Sequence, residues 1–216
     1  MKRVKLPATM LACFSATVCL YAVRHHPANP GGPFDYYILS LSWAPNYCAG
    51  HPNDHLIECR VGKHANFVLH GLWPQLNDGQ QPTNCVPASP VSSAMVHHML
   101  LYFPSRGLIQ HEWATHGTCS GLSAQEYFGQ VEQAYTAFRV PEAYRSLDHD
   151  QTLGVKDIER SFAEVNGASA GAFRVSCHAR ELVGVEVCLT KDLEYQACTS
   201  SRRECPASEV LMRSVQ

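Results

Sequence analysis

A chain of 216 residues with 45% hydrophobic and 17% charged content is long enough for one domain with a sizeable core, and too apolar to be a disordered protein. Its 17 basic and 19 acidic side chains leave a net charge of −2 with the 12 histidines neutral, which excludes a broad cationic surface that would hold nucleic acid by charge alone. Recognition of a polyanion must therefore be local, or must use histidines that charge at mildly acidic pH.

Met1-Lys2-Arg3-Val4-Lys5 is basic and the run Leu6 to Val23 is apolar, the pattern of a secretory signal peptide. Thr9, Ser15 and Thr17 weaken the competing reading as a retained anchor helix. Val18 stands where lipid attachment at Cys19 would want a small residue. Cleavage is expected between Ala22 and Ala28, which assigns residues 1–24 to export and 25–216 to a single mature domain. That domain is expected to be a secreted or periplasmic monomer with no stable membrane association. Removing the basic start and apolar run, residues 1–23, takes Lys2, Arg3 and Lys5 and no acid, leaving 14 basic side chains against 19 acidic, a net charge of −5, and a cut after Arg24 takes one base more.

Val23 to Pro33 has the composition of an entry linker. Phe34 to Trp43 is rich in aromatic and β-favouring residues and alternates from Tyr37 onward, predicting a buried strand stopped by Pro45. Cys48 to Cys59 reads as a polar loop with exposed His51 and His55, and Ala65 to Leu69 as a second short strand. Leu76 to Pro90 reads as a surface loop around Cys85. Val91 to Leu101 has helical spacing, with His97 and His98 on a solvated or core-flanking face. Leu122 to Phe138 carries an apolar helix face through Tyr127, Phe128, Val131, Ala134, Tyr135 and Phe138. Pro141 to Tyr144 is a short turn or helix. A further helix runs from Val155 to Val165 and is closed by Asn166-Gly167. Strands follow at Phe173 to Cys177 and Leu182 to Leu189, then an irregular stapled end at Cys198 to Cys205. Strands, helices and strands in that order, with no internal repeat, predict one α+β domain with an antiparallel sheet core flanked by helices.

Cys13 and Cys19 leave with the export segment. The remaining eight are Cys48, Cys59, Cys85, Cys119, Cys177, Cys188, Cys198 and Cys205, an even number that predicts four disulfides of open pairing. There is no C-x-x-C pair of the kind a metal site prefers.

Chemistry concentrates in two stretches, Phe67-Val68-Leu69-His70-Gly71-Leu72-Trp73-Pro74-Gln75 and His111-Glu112-Trp113-Ala114-Thr115-His116-Gly117-Thr118-Cys119. A zinc-protease helix would place two histidines four apart. Here His111 and His116 are five apart, about 140° around a helix, which argues against a shared metal. A nucleophilic Cys119 would break the even cysteine count, and there is no glycine-rich phosphate loop. Histidine acid–base chemistry remains. Cleaving RNA through its own 2′-hydroxyl needs one group to take that proton and another, across the phosphorus, to protonate the departing 5′-oxygen. Imidazole suits both tasks, each worth roughly 10²–10⁴-fold. A further donor or cation must stabilise charge on the phosphoryl oxygens. Trp73 and Trp113 offer faces for base stacking.

FVLHGLWPQ and HEWATHGTC resemble the two active-site segments of the ribonuclease T2 family, the secreted acid endoribonucleases. FDYYILSLSWAPNYC, VKDIERSF and VGVEVCLTKDL resemble its first strand, late helix and final core strand, so the likeness spans Phe34 to Cys205. The resemblance implies His70 as general acid, His116 as general base, His111 as phosphate contact, Glu112 as transition-state stabiliser and Trp73 as base-stacking residue. It implies cleavage of single-stranded RNA through 2′,3′-cyclic phosphates to 3′-phosphates, with no cofactor and no metal. The implied disulfides are Cys85–Cys119, Cys48–Cys59, and Cys177–Cys205 around Cys188–Cys198.

Three departures matter. Thr115 stands where the family usually has Lys or Arg; a hydroxyl can touch phosphate but brings no charge, which predicts reduced turnover. Gln75, a candidate base contact, stands where some relatives have Asp. Ser42 replaces a common Gln, which hints at the bacterial branch. Thr115 also keeps open an alternative, a catalytically weakened family member that binds RNA or acts in defence.

Overall fold

The sheet is built around β1 (Tyr36–Trp43), whose near-continuous apolar run is explained by burial on both faces. Tyr37, Leu39, Leu41 and Trp43 enter the larger core, whereas Tyr36 and Ile38 pack with Trp73 and Cys188 in a smaller core. Strand β2 (Phe67–Gln75) pairs with one edge of β1 and β5 (Glu181–Leu189) with the other, both antiparallel. β4 (Phe173–His178) joins β5 through a turn at Ala179 and Arg180, both at positive φ. This computed structural model describes residues 34–199 and 204–215, so the proposed export segment lies outside the described residues.

β3 (Gln151–Gly154) and β6 (Glu209–Met212) were not legible in the sequence, since four residues are too few to display a period of two. They pair antiparallel with each other, and β6 meets β5 in parallel at Leu211 and Glu181. The sheet is therefore mixed, with the expected antiparallel core and this single parallel contact at β6. β6 is not tied to β5 by a tight hairpin turn, so nothing forces it to run antiparallel. The fold class is α+β.

The expected helices are present, and two that were not expected, Ala44–Gly50 and Arg106–Thr115, join them. α1 (Ala44–Gly50) follows β1 directly; Pro45 ends the strand by entering the first helical turn, where a missing N–H costs little. α2 (Ser93–Met99) and α3 (Arg106–Thr115) are capped by Ser92 and Ser105, and α4 (Ala124–Ala137) by a reciprocal Ser123–Glu126 box. α5 (Glu142–Arg145) is a single turn. α6 (Val155–Asn166) ends at Gly167, whose φ of +63° serves the left-handed cap. Phe162 of α6 meets Phe67 of β2 edge-on at 5.2 Å and stacks on Phe138 at 5.5 Å, fixing the helix layer to the sheet.

All four disulfides take the pairing the resemblance implied. β2 was expected to stop at Leu69 and instead continues to Gln75. β2 lies at the sheet edge, where Pro74 and a bulge at Gly71 are both tolerated.

Candidate active site

Ser40 of β1 faces Gly71 while the next residue, Leu41, faces Leu69. His70 is thus the extra residue of a β-bulge, a device that re-aims a side chain. The bulge also reverses the alternation of β2. Phe67 and Leu69 before it and Leu72 after it share the larger core, while Trp73 turns to the other face. Tyr127 of α4 anchors the segment by donating its hydroxyl to the Leu72 carbonyl at 2.9 Å.

Helix α3 lies against this bulge and brings Glu112 beneath it. The Trp73 indole N–H donates to Glu112 Oε2 at 2.7 Å, and Glu112 Oε1 sits 3.7 Å from His70 Nε2. Ser42 Oγ lies 3.1 Å from His70 Nδ1, so the residue that marked a departure in β1 braces the other ring nitrogen. Glu112 is fully buried, and its Oε1 has no hydrogen-bond partner. Gly71 makes the close approach possible, because a Cβ there would fall 1.9 Å from Glu112 Oε2 and 2.6 Å from Trp73 Nε1.

α3 ends at Thr115, and His116 is its C-cap, with φ −114° and ψ −45°. The chain then tightens into a 3-10 turn, Gly117–Cys119, held by the Cys85–Cys119 disulfide. His116 therefore does not continue the helical progression, and its ring returns to the side of His111, with centroids 6.2 Å apart. This overturns the argument that five-residue spacing keeps the two apart. Ligand atoms of His111, Glu112 and His116 lie within 4.8 Å of one another, and their types are ones zinc accepts. A metal there would compete with the indole N–H on Glu112 and with the proton that carboxyl retains.

Burial dominates the electrostatics. It pushes Glu112 up to about 8, with the Trp73 hydrogen bond pulling back. Burial, followed by the charge of His111, pushes His70 below its ordinary value. Both shifts favour the neutral forms of the two side chains.

The rings of His70 and His116 flank Trp73, at 5.3 and 5.2 Å between centroids. Trp73 is only 9% exposed, and it forms the shared wall of the site. Gln75 is 3% exposed and its amide donates to the Pro74 carbonyl at 2.8 Å, which leaves it little surface to meet a base. Thr115 does reach the site, with its hydroxyl 3.4 Å from His111 Nδ1. Trp113 packs against Tyr127 and donates to the Ser89 carbonyl, a structural role. Gln81 was missed. Its amide nitrogen lies 3.2 Å from His116 Nδ1, brought there by the loop that carries Cys85. Only that cysteine could have signalled the loop's nearness.

A cleft of about 390 Å³ opens beside His70 and His111, walled by Tyr47, Leu56, Glu58, Val68 and Leu108. A separate groove of about 500 Å³ beside α4 and α6 touches none of these histidines.

Residues 34–198 match the family model described as Ribonuclease T2 family. A ribonuclease of Aeromonas hydrophila is 45% identical over 96 residues, 44% of this chain and 42% of that protein. A probable ribonuclease of Haemophilus influenzae is 31% identical over 145 residues, covering 60% of this chain and 52% of that protein. The chain thus spans about half the length of these curated relatives. An RNase-related protein from Calystegia sepium has the same fold, with a TM-score of 0.68 at 24% identity over 85% of this chain and 98% of that one.

Proposed function

Because the chain belongs to the ribonuclease T2 family, we propose that it is an exported, monomeric endoribonuclease that cleaves single-stranded RNA by histidine acid–base catalysis, with no metal or cofactor. The observation that carries this reading is the pair His70 and His116 flanking one tryptophan above a buried carboxyl. Neutral His116 takes the 2′-hydroxyl proton, and the 2′-oxygen attacks phosphorus, forming the P–O2′ bond as P–O5′ breaks. Protonated His70 gives its proton to the departing 5′-oxygen. A 2′,3′-cyclic phosphate results, and water opens it to a 3′-phosphate with the two histidines in exchanged roles.

His111, exposed on α3 and held by Thr115, is placed to meet the phosphate. Glu112, carrying its proton, can donate a hydrogen bond as charge builds on the phosphoryl oxygens. Among the described residues that wall the cleft beside His70 there is no Lys or Arg, and this reading relies on imidazole for positive charge at the phosphate. That cleft borders the general acid and suits the base of the nucleotide that leaves. Export is supported by the N-terminal pattern and by four disulfides, which persist in oxidising compartments. Among the described residues no helix is long and apolar enough to cross a membrane.

The test is cleavage of yeast RNA in chelator across pH 4–8, with products resolved for cyclic phosphates. His70→Ala and His116→Ala should each cost about 10²–10⁴-fold in rate. Binding without cleavage, or activity that the chelator removes, refutes the assignment.

A further inference from the structure

We propose that Glu58 selects guanine as the base on the leaving-group side of the scissile bond. The inference rests on the endonuclease reading above and concerns what the cleft beside His70 accepts. Glu58 belongs to the 3-10 turn Ile57–Cys59, fastened to α1 by the Cys48–Cys59 disulfide, and it lines the cleft together with Val68 and Leu108. Its Oε2 is buried with no hydrogen-bond partner, although an acceptor in that state ordinarily costs about 1–3 kcal/mol. Burial raises the Glu58 pKa, its own backbone N–H pulls back, and Oε2 is left without a donor. Asp54 is engaged by the Tyr47 hydroxyl at 2.7 Å and by the Leu56 amide, and its charge adds to burial in raising the Glu58 pKa.

The other walls are mainly apolar, from Tyr47, Leu56, Val68 and Leu108, so they can enclose a flat ring without competing for its edge. A carboxyl acceptor in such a setting rewards a ligand that brings donors. Guanine presents two adjacent donors, N1–H and the N2 amine, that match the two oxygens of one carboxylate. Cytosine and adenine present a single amine beside an acceptor, and uracil a single N–H between two carbonyls. The expected order is guanine, then cytosine and adenine, then uracil. A good bidentate pair discriminates by about 5- to 150-fold.

The experiment compares kcat/KM for UpG and UpU at pH 7 in the full mature chain and in Glu58→Gln, which keeps the shape and loses one acceptor. In the wild type UpG should lead by about 10-fold or more, and Glu58→Gln should shrink the UpG-to-UpU ratio toward 1. A ratio is insensitive to a uniform loss of folded enzyme, and Glu58→Ala provides a second variant with the same expected direction. A wild type that prefers UpU, or a UpG preference that both variants retain, overturns the assignment. Titration with 5′-GMP and 5′-UMP separates the two layers of argument. Guanine binding that depends on Glu58 in a chain that cuts no RNA upholds the base assignment and refutes the endonuclease reading.

Discussion

Gly71→Ala tests whether the bulge, the indole and the buried carboxyl form one rigid unit. The new methyl would overlap Glu112 Oε2 and come within 2.6 Å of both Glu112 Cδ and Trp73 Nε1. Glu112 has no route outward, since its side chain is wholly buried, and the indole cannot bend. Overpacking typically costs about 1–3 kcal/mol, and losing the Trp73–Glu112 bond inside the protein about 1–3 more, so the substitution should destabilise by about 2–6 kcal/mol. For a domain of this size that lowers Tm by roughly 5–20 °C. Because His70 and His116 both lean on Trp73, the folded fraction should also lose roughly 10²-fold in kcat, as expected for a displacement near 1 Å. Thermal denaturation and turnover of a dinucleotide, read on the same preparation, measure both effects. Gly129→Ala in α4 is the matched control: its added methyl meets nothing within 4 Å, and it should stabilise by about 0.5–1 kcal/mol. Wild-type stability and kcat in Gly71→Ala would refute the rigid-unit account.

The rate should be bell-shaped in pH, falling at low pH as the base is protonated. The falling alkaline limb should centre below the ordinary imidazole value of about 6.5, because burial depresses the acid, His70; a flat profile, or an alkaline limb centred above 7, contradicts this. Thr115→Lys should raise kcat/KM about 5-fold if a missing cation limits turnover, and a loss would show that the hydroxyl's hold on His111 matters more. Glu112 retains its proton up to about 8 when folded but releases it near 4.5 when unfolded, so its contribution to stability is complete below about 4.5 and fades as pH rises toward 8. Glu112→Gln, a permanent mimic of the protonated form, should flatten that decline in urea titrations at pH 5 and pH 8, and an unchanged slope would remove Glu112 as its source.

Long elements with a clear period were legible: β1 from its alternation, α4 and α6 from their apolar faces, and the β4–β5 pair from two runs around a polar turn. What escaped depended on partners distant in sequence. β3 and β6 are strands because each finds the other across the sheet. His70, Glu112 and His116 were identified from residue type and spacing, yet their geometry was not. The helical-angle argument treated His116 as helical, whereas the helix stops one residue earlier. Gln81 and the exposure of Gln75 were illegible for the same reason, since nothing local distinguishes a polar residue aimed at a site from one folded back on its own strand.

The Cys85–Cys119 bond closes a loop of 34 residues, an entropic restraint of about 4 kcal/mol on the open chain. It clamps the segment that delivers Gln81 to the turn that seats His116, beside the backbone bond from Asn84 to Thr115. A freshly synthesised chain whose thiols are still free has no covalent tie between those two parts. Maturation of the fold and arming of the chemistry are thereby coupled to the same oxidation event.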